Sequence, residues 1–475
     1  MTLPLNHLKW GVTVVAVAAL SACASFDLQK GLDRANSDTK ELTQGELQLA
    51  RTEGERQRRL AMSFQILAKP LGQAQAVQLM LANSPAFQAL MAQNWYEAAS
   101  AAQSGRISNP VFSYESVVTG TETEIGRFLS FGLLDLLTLP QRSAMAEFRI
   151  EQSQLRFASE VIDRVTQVKQ AWVRAVAAAQ SLAYAQQVYD SAQVSAELAR
   201  RMEAVGNFNR LTRARHQAFY ADAATQLVIA QHNALSKREE LVRQLGLGIE
   251  QSHMLKLPAR LPEIPKQPMS DEEAGRQASR NRLDIQLAKA TLNASAKAQG
   301  LVGITSLADI EVSARKGNVS DASTGTSTSR HGYEVGIRLP IFDWGAMQRD
   351  AMNAQTLAAA NNLEATIRAA ASGLRESYSA YRSAYDISRH YKDEVLPLRK
   401  VMADENILRY NGMIIGVFEL LADARDQVST VISAISAEQQ FWLAEAALSA
   451  NLMGRPTSVG PTSMSSSSSS AVAGH

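Results

Sequence analysis

One pattern occurs twice in this chain and limits what it can fold into: a strand runs directly into a helix longer than a globular core is thick. Tyr333, Val335, Ile337, Leu339 and Ile341 alternate with Glu334, Gly336 and Arg338, the two-residue period of a strand with one apolar and one polar face. The period stops at Asp343-Trp344-Gly345, and an Ala-rich run without proline, of high helix propensity, continues to Val395. The same order occurs earlier, with Ile125 to Leu137 as the strand, Pro140 in the first helical turn and a proline-free run to Glu203. Arg142-Ser143-Ala144-Met145 there matches Arg349-Asp350-Ala351-Met352 here. The chain reads as a tandem repeat.

The first repeat, residues 71–250, opens with a helix pattern from Ala74 to Ala102 that Asn109-Pro110 ends. Pro110 to Val118 alternates as a strand, Thr119 to Glu124 is a polar loop, and the returning strand launches a helix over Gln141 to Glu203, roughly 95 Å at 1.5 Å per residue. Val205-Gly206-Asn207-Phe208-Asn209 breaks it, and Leu211 to Leu245 runs back. Residues 251–270, with Pro258, Pro262, Pro265 and Pro268, read as the linker between repeats.

In the second repeat, 271–453, the spacing predicts a helix over Asp271 to Gln299, a strand over Asp309 to Lys316 and a Ser/Thr loop over Gly317 to Gly332. Pro397 should kink the long helix or start a new segment. Tyr410 to Gly416 forms the second break, and Val417 to Leu452 returns.

The ends differ in kind. Residues 1–22 read as a lipoprotein signal peptide: Lys9 supplies the charge, Gly11 to Leu20 the apolar stretch, and Leu20-Ser21-Ala22-Cys23 resembles a lipobox in which Cys23 is acylated and becomes the N-terminus. Cys23 is the only cysteine, so no internal disulfide is possible. Residues 23–70 are expected to form a lipidated arm, with a surface helix or partly ordered stretch over Asp38 to Arg59. Residues 454–475, with a six-serine run, read as disordered. A net charge of +2 gives no nucleic-acid signal.

Each repeat thus gives two short strands between helices. Four strands cannot enclose a barrel, since closed barrels begin at about eight strands. In a membrane every backbone group must be paired, so other copies must close the edges, and three chains would supply about twelve strands.

The lipobox at Cys23, Leu81-Ala82-Asn83-Ser84-Pro85, Asn109-Pro110, Leu339-Pro340-Ile341-Phe342-Asp343-Trp344-Gly345, Tyr410-Asn411-Gly412 and Glu419-Leu420-Leu421 resemble the outer-membrane factor family, the TolC-like efflux ducts. The resemblance covers nearly all of residues 71–454. It implies a mostly α fold with a small β part: a homotrimer with a 12-stranded β-barrel in the outer membrane of a Gram-negative bacterium, continued across the periplasm by an α-helical barrel. Implied partners are a periplasmic adaptor protein, an inner-membrane pump and outer-membrane lipid.

No enzyme constellation stands out: the histidines lack metal spacing, and no G-x-S-x-G motif occurs. No catalytic residue, metal site or cofactor beyond the lipid on Cys23 is expected. Glu419 and Asp423 lie four apart on one helix face. By resemblance such acids ring the closed end of the tunnel, although Ala422 stands where the family's second acid falls; the alternative is a solvated face with Asp423 paired to Arg425 or Asp426. The tip turns, with Gly206, Asn207, Phe208, Tyr410, Gly412, Met413 and Ile414, are expected to dock an adaptor or to pack on a neighbouring protomer. The resemblance also gives Tyr410 a latching hydrogen bond. Phe342 and Trp344 fall where an interfacial aromatic belt or the packing beneath a barrel would lie. Met202, Met402 and Met413 raise soft metal ions as cargo, or serve as flexible packing. A helical tether without a pore is the alternative to a duct.

Overall fold

The computed structural model describes residues 27–43, 46–305, 309–338, 342 and 344–457. The signal segment, Cys23, Leu339 to Ile341, Asp343 and the serine tail lie outside the described residues.

The two repeats follow the same order, apart from a short extra helix in the first and a π turn that divides the outgoing helix of the second. In the first, α3 (Gln73–Asn83) and α4 (Pro85–Ser104) lead to β1 (Val111–Thr119) and β2 (Glu122–Gly132). A short α5 (Leu133–Leu137) then enters α6 (Leu139–Ala204), and α7 (Arg210–Leu245) returns. The second repeat has α9 (Asp271–Asn281), α10 (Leu283–Thr305), β3 (Asp309–Asp321), β4 (Thr326–Arg338), α11 (Ala346–His390), a π turn (Tyr391–Val395), α12 (Leu396–Asn411) and α13 (Val417–Leu452). The outgoing helix α6 has 66 residues, about 99 Å of rise. The returning helices α7 and α13 have 36 residues each. Ahead of the repeats stand α1 (Leu28–Thr43) and α2 (Glu53–Leu67), and α8 (Ile249–Met254) opens the linker.

The strands form one antiparallel sheet in the order β1-β2-β3-β4. The two hairpins therefore join through β2 and β3, while β1 and β4 are edges.

Local chemistry places several boundaries differently from the periodicity. The helix expected over Ala74 to Ala102 is two helices, because Ser84 leaves the helical region (ψ 117°) and caps α4, whose first residue is Pro85. The matching helix of the second repeat breaks at Arg282 (ψ 107°). The strand expected to reach Leu137 stops at Gly132, and α5 follows. There Asp135 accepts a hydrogen bond from Ser108 and pairs with Arg142 at 2.9 Å. The loop expected over Thr119 to Glu124 shrinks to Gly120 and Thr121, and the one over Gly317 to Gly332 to residues 322–325, with the flanking segments paired as strands. Pro397 does interrupt its helix. The π turn lies just ahead of it, and the Leu396 N–H reaches back to the Tyr391 carbonyl.

Most of the core sits at mid-length, where the repeats meet. Trp172 of α6 is 2% exposed, and its indole N–H donates to the Leu71 carbonyl at 2.7 Å. Phe87, Ile162, Val165, Leu241 and Leu245 pack around it. Each repeat closes on a left-handed glycine beneath its first helix pair. Gly246 (φ +66°) lies so close to Ser84 that an added Cβ would come within 2.8 Å of Ser84 Cα, and Gly454 (φ +87°) would meet the Asp284 nitrogen at the same 2.8 Å.

The linker is an ordered strap. Tyr385 donates to the Lys266 carbonyl at 2.8 Å, and Trp442 to the Pro262 carbonyl at 3.1 Å. The arm is ordered as well, with Leu32, Ala35 and Leu47 buried in the same core and Arg34 bonded to Glu151 at 3.2 Å. Arg455, within the segment expected to be disordered, pairs with Asp163 and holds the first residues of that tail against α6.

Candidate functional sites in the sheet and at the helical tips

The pleat sorts the strands into two chemically distinct faces. Residues directly opposite in the ladder share a face, so the register gives the rows Phe112, Leu129, Ala314 and Tyr333, then Phe131, Val312 and Val335, then Ile310 and Ile337. These rows form a continuous apolar surface near the helical end, with Phe112, Leu129, Tyr333, Val335 and Ile337 all more than half exposed. On the reverse face Glu311, Ser313, Arg315 and Glu334 alternate with them. Arg315 there bonds Glu124 at 2.6 Å and lies over the Phe128 ring at 4.9 Å. Every described side chain of edge strand β1 is exposed. Phe342 and Trp344, where β4 passes into α11, are 100% and 61% exposed.

At the other end, two turns close the helical hairpins with one hydrogen-bond pattern. In the first, Gly206 N–H donates to Glu203 O at 2.9 Å and Asn207 N–H to Met202 O at 2.8 Å. In the second, Met413 N–H donates to Tyr410 O at 3.0 Å and Ile414 N–H to Arg409 O at 2.9 Å. Both follow the Schellman arrangement, which puts one residue in the left-handed region. Gly206 fills that place at φ +81° in the first turn, and Met413 at φ +56° in the second. Gly412, one position earlier, keeps φ −77°.

Exposure divides the second turn sharply. Met413 is 94% exposed and Ile414 69%, whereas Ile415 is 8% exposed. In the first turn Gly206 and Asn207 are exposed and Phe208 is half-buried, stacked on His216 with ring centroids 6.1 Å apart. His216 Nδ1 lies 2.7 Å from Ser195 Oγ on α6, and its Nε2 is buried without a hydrogen-bond partner among the described residues. Burial pushes the His216 pKa below the ordinary histidine value.

The two returning helices meet near the tips. Arg425 of α13 bonds Asp222 of α7 at 3.1 Å and lies over Phe219 at 5.6 Å, and Arg215 of α7 lies over Phe418 at 4.6 Å. Asp426 faces Arg399 at 3.7 Å. The neighbours that could have paired with Asp423 are thus engaged elsewhere. Among the described residues neither Glu419, exposed in the first turn of α13, nor half-buried Asp423 forms an ion pair. Tyr410 is half-buried, and its hydroxyl makes no hydrogen bond among the described residues. Met402 lies within α12, and Met413 lies two residues past its end. Among the described residues no cluster of His, Cys, Asp or Glu could hold a metal. No described helix is long and apolar enough to cross a membrane.

The sequence alone did not single out the left-handed backbone of Met413 or the His216–Phe208 stack. The first could have been found by aligning the repeats on Val205-Gly206 and Gly412-Met413, which puts Gly206 opposite Met413.

No protein-family profile matches the chain, and no curated protein matches it either. Solved structures do. A membrane protein from Pseudomonas aeruginosa aligns at 17% identity and TM-score 0.66 over 84% of this chain and 94% of that one. The outer membrane protein VceC from Vibrio cholerae aligns at 14% and 0.66 over 84% and 98%. The Campylobacter jejuni CmeC outer membrane channel aligns at 14% and 0.65 over 86% and 87%. These likenesses extend over 84–86% of the chain, which has the fold of the outer-membrane factor channels.

Proposed function

We propose that three copies of this chain close their sheets into a 12-stranded barrel in the outer membrane, and that their helices continue it as a duct through which solutes leave the cell. The observation that carries the reading is the sheet itself: among the described residues two unpaired edges, β1 and β4, flank a surface that near the helices is apolar on one face and mostly polar on the other. In hydrocarbon such edges must be paired, and a closed ring of identical sheets pairs all of them. Large apolar side chains exposed along the helices, Val194, Leu198, Val228 and Ile229 among them, would meet neighbouring copies in the same ring.

In this reading the chain makes and breaks no bonds. A periplasmic adaptor docks at the tips, where Met413 and Ile414 offer an apolar contact, and an inner-membrane pump supplies the energy. Glu419, repeated by threefold symmetry, lines the aperture. Cys23 carries the lipid anchor. The cargo is a drug-like solute or a metal ion.

A cysteine scan tests the ring. With Cys23 replaced by alanine, a cysteine at Ser113 in β1 is combined in turn with cysteines at positions 328–336 of β4. At least one pair should give disulfide-linked dimers and trimers on a non-reducing gel. Monomers from every pair in folded protein would rule the closed ring out.

A further inference from the structure

Beyond the apolar rows, on the same face of the sheet and one row farther from the helices, the register aligns Tyr114, Arg127, Lys316 and His331 across all four strands. Two residues at strand rise put this row about 7 Å past the row of Phe112 and Tyr333. All four side chains are exposed. The glutamates of the strands, Glu115, Glu122, Glu124, Glu311 and Glu334, lie on the opposite face by the same register, as does Asp321. Arg315, on that opposite face, has Glu124 at 2.6 Å, whereas among the described residues Arg127 and Lys316 form no ion pair.

We propose that this row binds the phosphorylated headgroups of lipids in the outer leaflet; the proposal rests on the barrel reading above. An unpaired cationic line directly above an apolar band sits where acyl chains give way to headgroups. The guanidinium of Arg127 and the ammonium of Lys316 complement phosphate oxygens in charge, and Tyr114 and His331 add donors at either end of the row. The segregation of carboxylates to the other face leaves nothing on this one to repel an anion. Next along each strand come Ser116, Ile125, Asn318 and Ser329, so the charge is confined to one level.

The full-length protein, purified in detergent, is titrated with bisphosphorylated lipid A and with the same lipid after removal of its phosphates, and bound lipid is counted by native mass spectrometry. The phosphorylated lipid should bind at least tenfold more tightly. Joint Arg127→Gln and Lys316→Gln substitution should remove that preference, and joint Arg127→Lys and Lys316→Arg substitution should keep it. Equal binding of both lipids to the unaltered protein would overturn the proposal without recourse to a variant. Displacement by inorganic phosphate as effective as by lipid would make this a free-anion site and overturn the lipid assignment. Bilayer conductance of the same preparation separates the two readings: channels without phosphate preference defeat the headgroup row alone, and absence of channels defeats the barrel as well.

Discussion

At the scale of single residues, the tip turns carry the sharpest constraints. A non-glycine residue in the left-handed region costs about 1–2 kcal/mol relative to glycine, and Met413 bears that cost with its side chain almost wholly in solvent. Met413→Gly should therefore stabilise the second turn by about 1 kcal/mol, visible as slower amide exchange at residues 412–416. The same substitution should lower efflux if the side chain contacts an adaptor; unchanged efflux would remove Met413 from the docking surface.

His216 makes the first turn sensitive to acid. Its folded-state pKa is depressed by burial, so its contribution to stability is fully present above the unfolded value near 6.5 and is lost as pH falls through the lower folded value. Amide protection at residues 205–210 should decrease between pH 7.5 and 5, and His216→Gln should flatten that dependence; an unchanged profile in the variant would assign the loss to other groups. Neither feature is written in local composition. Gly412 draws attention to the wrong position of its turn, and the burial of His216 depends on Phe208 and Ser195 reaching it from outside α7.

At the scale of elements, the long helices were legible because propensity, absence of proline and turn residues agree along α6, α7, α11 and α13. The full length of β3 and β4 was not. From Asn318 to Ser329 one face of the hairpin carries Ser320, Ser327 and Ser329, and on the other Val319 is the single apolar side chain beside Asp321, Thr326 and Thr328, so no two-residue period marks the strands. The break at Ser84 was readable in principle, since a serine before proline is a strong helix start. The start of α13 offers the clearest functional test among the elements. Glu419 has no ionic partner among the described residues of the chain, so a ring of three such carboxylates should attract cations into the aperture. Glu419→Ala should weaken block of single-channel current by divalent cations several-fold, and block equal to that of the unaltered protein would take Glu419 out of the conduction path.

At the scale of the whole molecule, the chain leaves two sheet edges unpaired among its described residues and large apolar side chains exposed along its helices, while most of its core sits at mid-length where the repeats and the linker strap meet. Duplication accounts for this shape. Two equal helical hairpins of such length can pair with each other along one side only, and in the proposed ring further copies cover the remaining sides. The most direct test of the duct is conductance across a planar bilayer of the purified full-length protein, with its mass determined in the same preparation. The account predicts discrete, stable channels from a species of three chains. A monomer that inserts without conducting would contradict it.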